Sequence, residues 1–306
     1  MPKVLIATVK PFAKAAVEEI KKVLDGAGYQ YRFLEKYNGE EELIEAVKDV
    51  DAMIIRSDKV TPAVIEAADN LKIVVRAGAG YDNVNLEAAS AKGVVVMNTP
   101  GQNSNAVAEL VLGMMVFQAR NHFNGTSGRE LKGKKIGIHA YGNVGKNVSR
   151  IAKGFGMDVA AFDPFVPKEA IEADGVQVYD NVEDMYAQCD YVSLHIPANQ
   201  HTIKSINYSL LSKMKEGAVL VNTARKEVIH EEDLVKIFEE NKGFSYVSDI
   251  APDNKEVIAE KFEGRFFFTP KKMGAQTAEA NINAGIAAAT QIIGYIENGD
   301  ATFKVN

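Results

Sequence analysis

Three segments of this 306-residue chain combine residue types that can do chemistry. The first, Ile136-Gly137-Ile138-His139-Ala140-Tyr141-Gly142-Asn143-Val144-Gly145, reads as a strand that ends in a glycine turn and opens a helix. At such a turn Gly142 lets the backbone approach a pyrophosphate and Gly145 lets the helix pack close on the strand. The helix N-terminus adds free N–H groups and partial positive charge, so the stretch Tyr141 to Gly145 is a candidate dinucleotide cradle. Ala140 stands where the first glycine of that fingerprint is expected. The next strand ends Ala160-Ala161-Phe162-Asp163, which puts a carboxylate 21 residues after Gly142, the spacing at which an acceptor meets a ribose 2′-hydroxyl. A carboxylate there repels a 2′-phosphate, so the pattern predicts NAD over NADP. The plainer reading of Asp163 is a cap preceding Pro164.

The second segment, Val75-Arg76-Ala77-Gly78-Ala79-Gly80-Tyr81-Asp82-Asn83-Val84, is a strand followed by a glycine-rich loop that carries a cation and can turn backbone N–H groups toward a carboxylate. By itself it is equally an ordinary tight turn. The third, Asn222-Thr223-Ala224-Arg225, ends another strand with an arginine placed to clamp a 2-oxo carboxylate bidentately and polarise its carbonyl. A surface ion pair is the alternative for Arg225. No Cys, His or carboxylate cluster has ligand spacing, so no metal is expected.

The elements that must position these residues are legible as short Val- and Ile-rich runs separated by helical stretches. They are Val4 to Val9, Tyr31 to Leu34, Ala52 to Ile55, Ile73 to Val75 and Val94 to Met97, then Ile136 to Ala140, Asp158 to Phe162, Val176 to Tyr179, Tyr191 to His195, Val219 to Asn222, Phe244 to Val247 and Phe266 to Phe268. Continuous apolarity means strands covered on both faces, hence parallel sheets wound with helices. A turn-like segment, Asn98 to Asn105, separates the two series and leads into a long apolar helix from about Ala106 to Arg120, read as a bridge and a candidate subunit interface. The last helix, about Thr277 to Glu297, returns the chain to the first series. The expected fold is α/β with two doubly wound parallel-sheet domains. A flavodoxin-like substrate domain takes residues 1–98 plus 278–306, and an inserted Rossmann NAD-binding domain takes residues 99–277.

Bulk properties narrow the setting. With 46% hydrophobic residues the chain is long enough for two cores. A formal charge of −6 argues against nucleic acid or an anionic membrane as partner, so an anionic substrate needs a local group of cations. A single cysteine, Cys189, and an N-terminus without signal-peptide features predict a cytoplasmic protein. His122, His201 and His230 fall in polar surroundings and are expected at the surface.

The segments 76–84, 98–109, 136–145, 193–197, 222–225 and 269–280 occur in the order found in D-2-hydroxyacid dehydrogenases, which the chain resembles over essentially its whole length. Within that family it is most similar to short phosphoglycerate dehydrogenases without a C-terminal regulatory domain, for which a chain stopping at Asn306 has no room. The resemblance implies a homodimer that uses NAD to oxidise the C2 hydroxyl of 3-phosphoglycerate to 3-phosphohydroxypyruvate, a step of serine synthesis. It implies that Gly78 and Ala79, with Arg76 and Ala77 beside them, bind the substrate carboxylate, and that Arg225 bridges carboxylate and C2 oxygen. Asn103 would approach the substrate. His195, Pro197, Thr223, Ala224, Asp249 and Gly274 would line the cofactor, Asp249 accepting from its carboxamide. For a phosphate the chain offers Arg56, Ser57 and Lys59, whose alternative is an exposed polar loop.

The chain departs from the family where the acid/base is due. The usual histidine after Thr-Pro is missing, and Thr269-Pro270-Lys271-Lys272-Met273-Gly274 has one extra residue between proline and glycine. Counting from Pro270 selects Lys271, and counting back from Gly274 selects Lys272, the preferred choice. Asn254, or else Asp253, stands near the position of the usual supporting glutamate. The two departures are compensatory: a lysine starts from a pKa of about 10.4 and must be lowered to accept a proton, so losing a carboxylate and keeping Arg225 close both help. The competing expectations are a dehydrogenase of another D-2-hydroxy acid, such as lactate or hydroxypyruvate, and a non-catalytic NAD-sensing protein.

Overall fold

A computed structural model describes residues 1–306 as two compact units, one of Met1–Asn103 with Gln276–Asn306 and one of Ser104–Ala275. In the first unit five strands, β1 (Lys3–Thr8), β2 (Gln30–Glu35), β3 (Ala52–Ile55), β4 (Ile73–Arg76) and β5 (Val95–Asn98), form a parallel sheet in the order β2-β1-β3-β4-β5. This is the flavodoxin-like order. The second unit holds β6 (Lys135–His139), β7 (Asp158–Phe162), β8 (Gln177–Val178), β9 (Tyr191–Leu194), β10 (Val219–Asn222), β11 (Ser245–Ser248) and β12 (Phe266–Phe268), parallel throughout, in the order β12-β11-β10-β9-β6-β7-β8. That is the dinucleotide-binding order with one strand added. β8 is shorter than its apolar run because, as an edge strand, it pairs only with β7.

Side chains alternate across each sheet. Val4 and Ile6 join the core beneath the helices Lys14–Gly26 and Ala278–Asn298, while Leu5 and Ala7 face the opposite core. In the second unit Ile136 and Ile138 pack with the helix Ser104–Ala119, and Val192 and Leu194 face the other side. Each such side chain removed from water contributes about 1.5–3 kcal/mol, which is why these strands tolerate little polarity before their ends. The returning helix is capped by Thr277, whose hydroxyl accepts from Ala280 N at 3.1 Å, and stops at Gly299 in the left-handed region (φ 70). A Cβ on Gly285 would come within 2.8 Å of Ile20 Cδ1, so a glycine there permits close packing on Lys14–Gly26.

Two of the histidines are built into strand ends. The His139 ring sits edge-on to Phe162 and Tyr186, with Nδ1 3.1 Å from the Tyr186 hydroxyl. His195 lies at the neighbouring strand end, its N–H on His139 O and its Nε2 2.9 Å from Ser193 Oγ. Burial pushes the pKa of His139 down to about 4 and that of His195 to about 3, the nearby His139 lowering the latter further. His122 is partly exposed: its ring stacks on Phe117 at 4.7 Å, its Nε2 lies 2.8 Å from Gln118 Oε1, and burial lowers its pKa. That stacking follows from three consecutive residues, Asn121 to Phe123, adopting positive φ, which folds the ring back onto the preceding helix.

Because both strand-end histidines titrate lower when folded than the about 6.5 of an unfolded chain, the unfolded state binds more protons below that pH. Stability should be complete above about pH 6.5 and fall toward pH 4, each ring contributing about 1.4 kcal/mol per pH unit. Urea unfolding midpoints measured from pH 7 to 4.5 should therefore drop, and His139→Leu should flatten the slope by one proton. An unchanged slope would mean that the folded His139 ring protonates as readily as an unfolded one.

Candidate active site

The glycine turn is built as its residues require. Ala140 takes φ 82, the conformation for which glycine is favoured, so the left-handed turn persists at a cost of about 1–2 kcal/mol. A Cβ on Gly145 would lie 2.4 Å from Ala140 O, which makes glycine obligatory there. At Gly142, by contrast, no protein atom lies within 4 Å of an added Cβ. No side chain caps the helix Asn143–Gly154, and its first internal bond runs from Lys146 N to Gly142 O. The N–H groups of Asn143, Val144 and Gly145 are thus left for an outside acceptor, with open space at Gly142 for a phosphate to approach.

Asp163 serves both readings of its sequence position. Its Oδ1 accepts from Phe165 N at 2.8 Å and Val166 N at 3.2 Å, and its Oδ2 from Tyr141 N at 2.7 Å. A carboxylate has about four acceptor sites, so one remains for a ribose hydroxyl. Tyr141 has its N–H committed to Asp163 and its ring buried, with the hydroxyl on Asp174, so its side chain belongs to the core. Pro197 is exposed beyond β9. Thr223 is buried, and its hydroxyl oxygen has no partner within the protein. An orphaned buried hydroxyl, an open glycine position and an uncapped helix end together fit a bound dinucleotide.

Beyond β10 the chain is shaped by Asn222, a buried residue that sequence reading treated only as a strand terminus. Its Oδ1 accepts from Ala224 N at 2.9 Å and its Nδ2 donates to Arg225 O at 3.0 Å, so one amide brackets the turn that presents Arg225. Its carbonyl accepts from Asp249 N and Ser248 Oγ, tying the turn to β11. Arg225 is exposed and donates from Nη1 to Ala224 O at 3.2 Å. Lys272 donates from Nζ to the same oxygen at 3.0 Å. Two cations from separate loops therefore meet on one carbonyl. Lys271 is exposed at the same loop tip.

Asp249, 1% exposed, holds that lysine loop: Thr269 Oγ1 and Met273 N donate to Oδ1 at 3.0 and 2.6 Å, and Gly274 N to Oδ2 at 2.8 Å. Asn254 is directed elsewhere. It precedes the helix Lys255–Lys261, its Nδ2 donates to Glu231 O at 2.9 Å, and its buried Oδ1 accepts from no donor, Lys272 included. Glu231 also accepts from the N–H groups of Asp253 and Asn254, and Asp253 is ion-paired with Lys226. The expectation that Asn254 or Asp253 stands in for a supporting glutamate is thus not met by a contact, because Glu231 and Lys226 compete successfully for both.

The first unit gathers its candidates at the carboxyl ends of β3, β4 and β5, the usual ligand edge of an open parallel sheet. The carbonyls of Gly78 and Ala79 are tied to the end of β5 by Thr99 N (3.0 Å) and Asn98 Nδ2 (2.6 Å), while Ala77 N continues the ladder to Ile55 O. Gly78, at φ 148, has the Arg76 guanidinium where a Cβ would stand, and Arg76 Nε donates to Arg56 O at 2.9 Å. Arg56 itself is bonded from Nη1 to Lys10 O and Pro11 O, from Nη2 to Asn281 Oδ1, and lies over the Phe12 ring. Burial lowers its pKa, opposed by Asp58. Ser57 and Lys59 are exposed, and Asn103 is half-buried before the helix Ser104–Ala119. Buried Asp58, which orders this edge by accepting from Val9 N, Arg56 N and the Tyr37 hydroxyl, escaped sequence reading because an aspartate in a polar loop carries no periodic signal.

Comparison with known proteins places the chain in a family. Residues 107–263 match the model of the D-isomer specific 2-hydroxyacid dehydrogenase NAD-binding domain. The chain is 46% identical to the NAD+-bound 3-phosphoglycerate dehydrogenase of Entamoeba histolytica, with a TM-score of 0.88, covering 100% of this chain and 98% of that one. It is 37% identical over 272 residues to D-3-phosphoglycerate dehydrogenase of Methanocaldococcus jannaschii, covering 83% of this chain and 51% of that protein. It is 34% identical over 270 residues to hydroxypyruvate reductase of Thermotoga maritima, covering 83% and 87%. The chain thus spans about half the length of the curated phosphoglycerate dehydrogenases it matches. A fingerprint turn on the right strand, a carboxylate after the next and a match over 107–263 have one reading: the chain belongs to the D-isomer specific 2-hydroxyacid dehydrogenase family and carries its NAD-binding domain.

Proposed function

We propose that this chain is an NAD-dependent dehydrogenase that oxidises the C2 hydroxyl of 3-phospho-D-glycerate to 3-phosphohydroxypyruvate, with Arg225 orienting the substrate and Lys272 as acid/base. The observation that carries the reading is the meeting of Arg225 Nη1 and Lys272 Nζ on Ala224 O, beside the orphaned hydroxyl of Thr223. Gly142 to Gly145 would hold NAD+, which would supply the acceptor for the hydride that leaves C2 with its electron pair. The protein's part is to take the hydroxyl proton and hold the carboxylate. Lys272 accepts the proton on Nζ as its neutral amine. Arg225 pairs with carboxylate and C2 oxygen, stabilising the carbonyl as it forms. Gly78 and Ala79, whose carbonyls are tied back to β5, offer N–H groups to the carboxylate, with Asn103 as a further polar contact. His195, kept neutral by burial, and Asp249 would line the nicotinamide.

One observation favours a second reading, the same reaction on an unphosphorylated acid such as lactate or hydroxypyruvate. The Arg56 guanidinium is already engaged by Lys10 O, Pro11 O and Asn281, so a phosphate would have to be held with exposed Ser57 and Lys59 and the remaining donors of Arg56. The working form is proposed to be a homodimer, supported by the apolar helix Ser104–Ala119, on which Leu110, Val116 and Phe117 remain partly exposed.

NADH formation from 3-phosphoglycerate at alkaline pH should be readily measured, and its pH profile should show an essential base titrating above the about 6.5 of a typical histidine. Lys272→Ala should lower the rate about 10²- to 10⁴-fold and Lys271→Ala only a few-fold; a double variant within a few-fold of the parent would end the lysine assignment. Ser57→Asp should raise KM for 3-phosphoglycerate at least about tenfold through like-charge repulsion while leaving KM for hydroxypyruvate within about twofold. Equal KM changes would favour the unphosphorylated substrate. Light scattering should give a mass twice 33.3 kDa, and a monomer would remove the dimer from the proposal.

A further inference from the structure

The loop that carries both lysines is fastened at its two ends by a single buried side chain. Thr269, 4% exposed, donates from Oγ1 to Asp249 Oδ1 at the start of the loop, and its N–H donates to Ser248 O. At the far end Met273 N and Gly274 N donate to the two oxygens of the same carboxylate. Between these fastenings stand only Pro270, with its fixed φ, and the two lysines. Gly274 is constrained to be glycine by this arrangement, since an added Cβ would lie 2.9 Å from Asp249 Oδ2. Asp249 is in turn held by its own N–H on Asn222 O, the residue whose amide brackets the Arg225 turn.

We propose that Asp249 is a positioning residue for the lysine loop: by binding Thr269, Met273 and Gly274 it sets the loop's register so that Lys272 reaches Ala224 O and joins Arg225. The inference rests on the reading of Lys272 as acid/base and adds to it the device that places the lysine. Counting from either end of the segment left the choice between Lys271 and Lys272 open, because the loop is one residue longer than the family pattern. The two-ended fastening leaves the loop a narrow range of shapes between Thr269 and Met273, and within it Lys272 is the lysine that donates to Ala224 O. The carboxylate accepts three bonds and keeps one acceptor site, so a contact with a nicotinamide carboxamide remains compatible. The two duties are separable by experiment, because Thr269 belongs to the fastening alone.

Thr269→Val keeps the shape of the side chain and removes the donor. It should lower kcat about tenfold, leave KM for NAD within about twofold, and speed hydrogen exchange at the Met273 and Gly274 amides, and Thr269→Ser should restore all three. Asp249→Asn should lower kcat about 100-fold and also raise KM for NAD. A stability contribution without positioning would shift the unfolding midpoint of Thr269→Val and leave kcat unchanged. Thr269→Val that matches the parent in kcat, whether or not its amides exchange faster, overturns the proposal. Lys272→Ala is the control for the parent reading: if it is slow while Thr269→Val is fast, the positioning role alone falls. If Lys272→Ala is as fast as the parent, the lysine assignment falls, and the catalytic consequence of the fastening with it.

Discussion

The Asp249 carboxylate has been withdrawn from water, and a buried carboxylate without donors would cost on the order of several kcal/mol. Three donors from one loop compensate it, and through Asn222 the same group of buried polar atoms reaches the turn after β10. Asn222, Ser248, Asp249 and Thr269 are all nearly inaccessible, so their bonds are made in a medium where an unmade bond is expensive and a made one is short and directional. The arginine turn and the lysine loop are consequently two outgrowths of one rigid polar lattice at the ends of β10, β11 and β12. Rigidity of that kind is what a proton-transfer geometry needs, since errors of an ångström are costly to the rate.

Electrostatics at this edge run against the rest of the molecule. The chain carries a formal charge of −6, yet Arg225 and Lys272 are held close together on a shared carbonyl oxygen. Neighbouring charges are moderated: Lys226 is paired with Asp253, and the imidazoles of His139 and His195 are kept neutral by burial. What remains is the close approach of Arg225 and Lys272 on one carbonyl oxygen. The segment that would carry a supporting glutamate in the family has been taken over by Glu231, which anchors the N–H groups of Asp253 and Asn254.

The dinucleotide turn illustrates how far a fingerprint can drift. Ala140 occupies the left-handed conformation in place of glycine, a tolerable loss because its methyl group is the smallest that an L-residue can bring. Gly145 has no such latitude, with Ala140 O at 2.4 Å from an added Cβ. Gly142 has no protein atom within 4 Å of an added Cβ, which leaves open space beside the uncapped helix end. The match to the NAD-binding domain over residues 107–263 is the family-level counterpart of that geometry.

Strand positions, the order of elements and the NAD preference were legible from sequence, because alternation, glycine turns and the Gly142-to-Asp163 spacing are local properties that reflect burial and backbone shape directly. So was the placement of Arg225 just beyond the end of a strand in a parallel sheet. Which of the two lysines meets Ala224 O was not, since that contact joins residues distant in the chain. Nor was the fate of Asn254, decided by Glu231 more than twenty residues away in the chain, or the commitment of Arg56 to Lys10, Pro11 and Asn281. Periodicity reports whether a side chain faces the core or water. It carries no information about which polar partner, brought near only by folding, will win a particular hydrogen bond, and in this protein those contests shape the loops that carry Arg225 and Lys272.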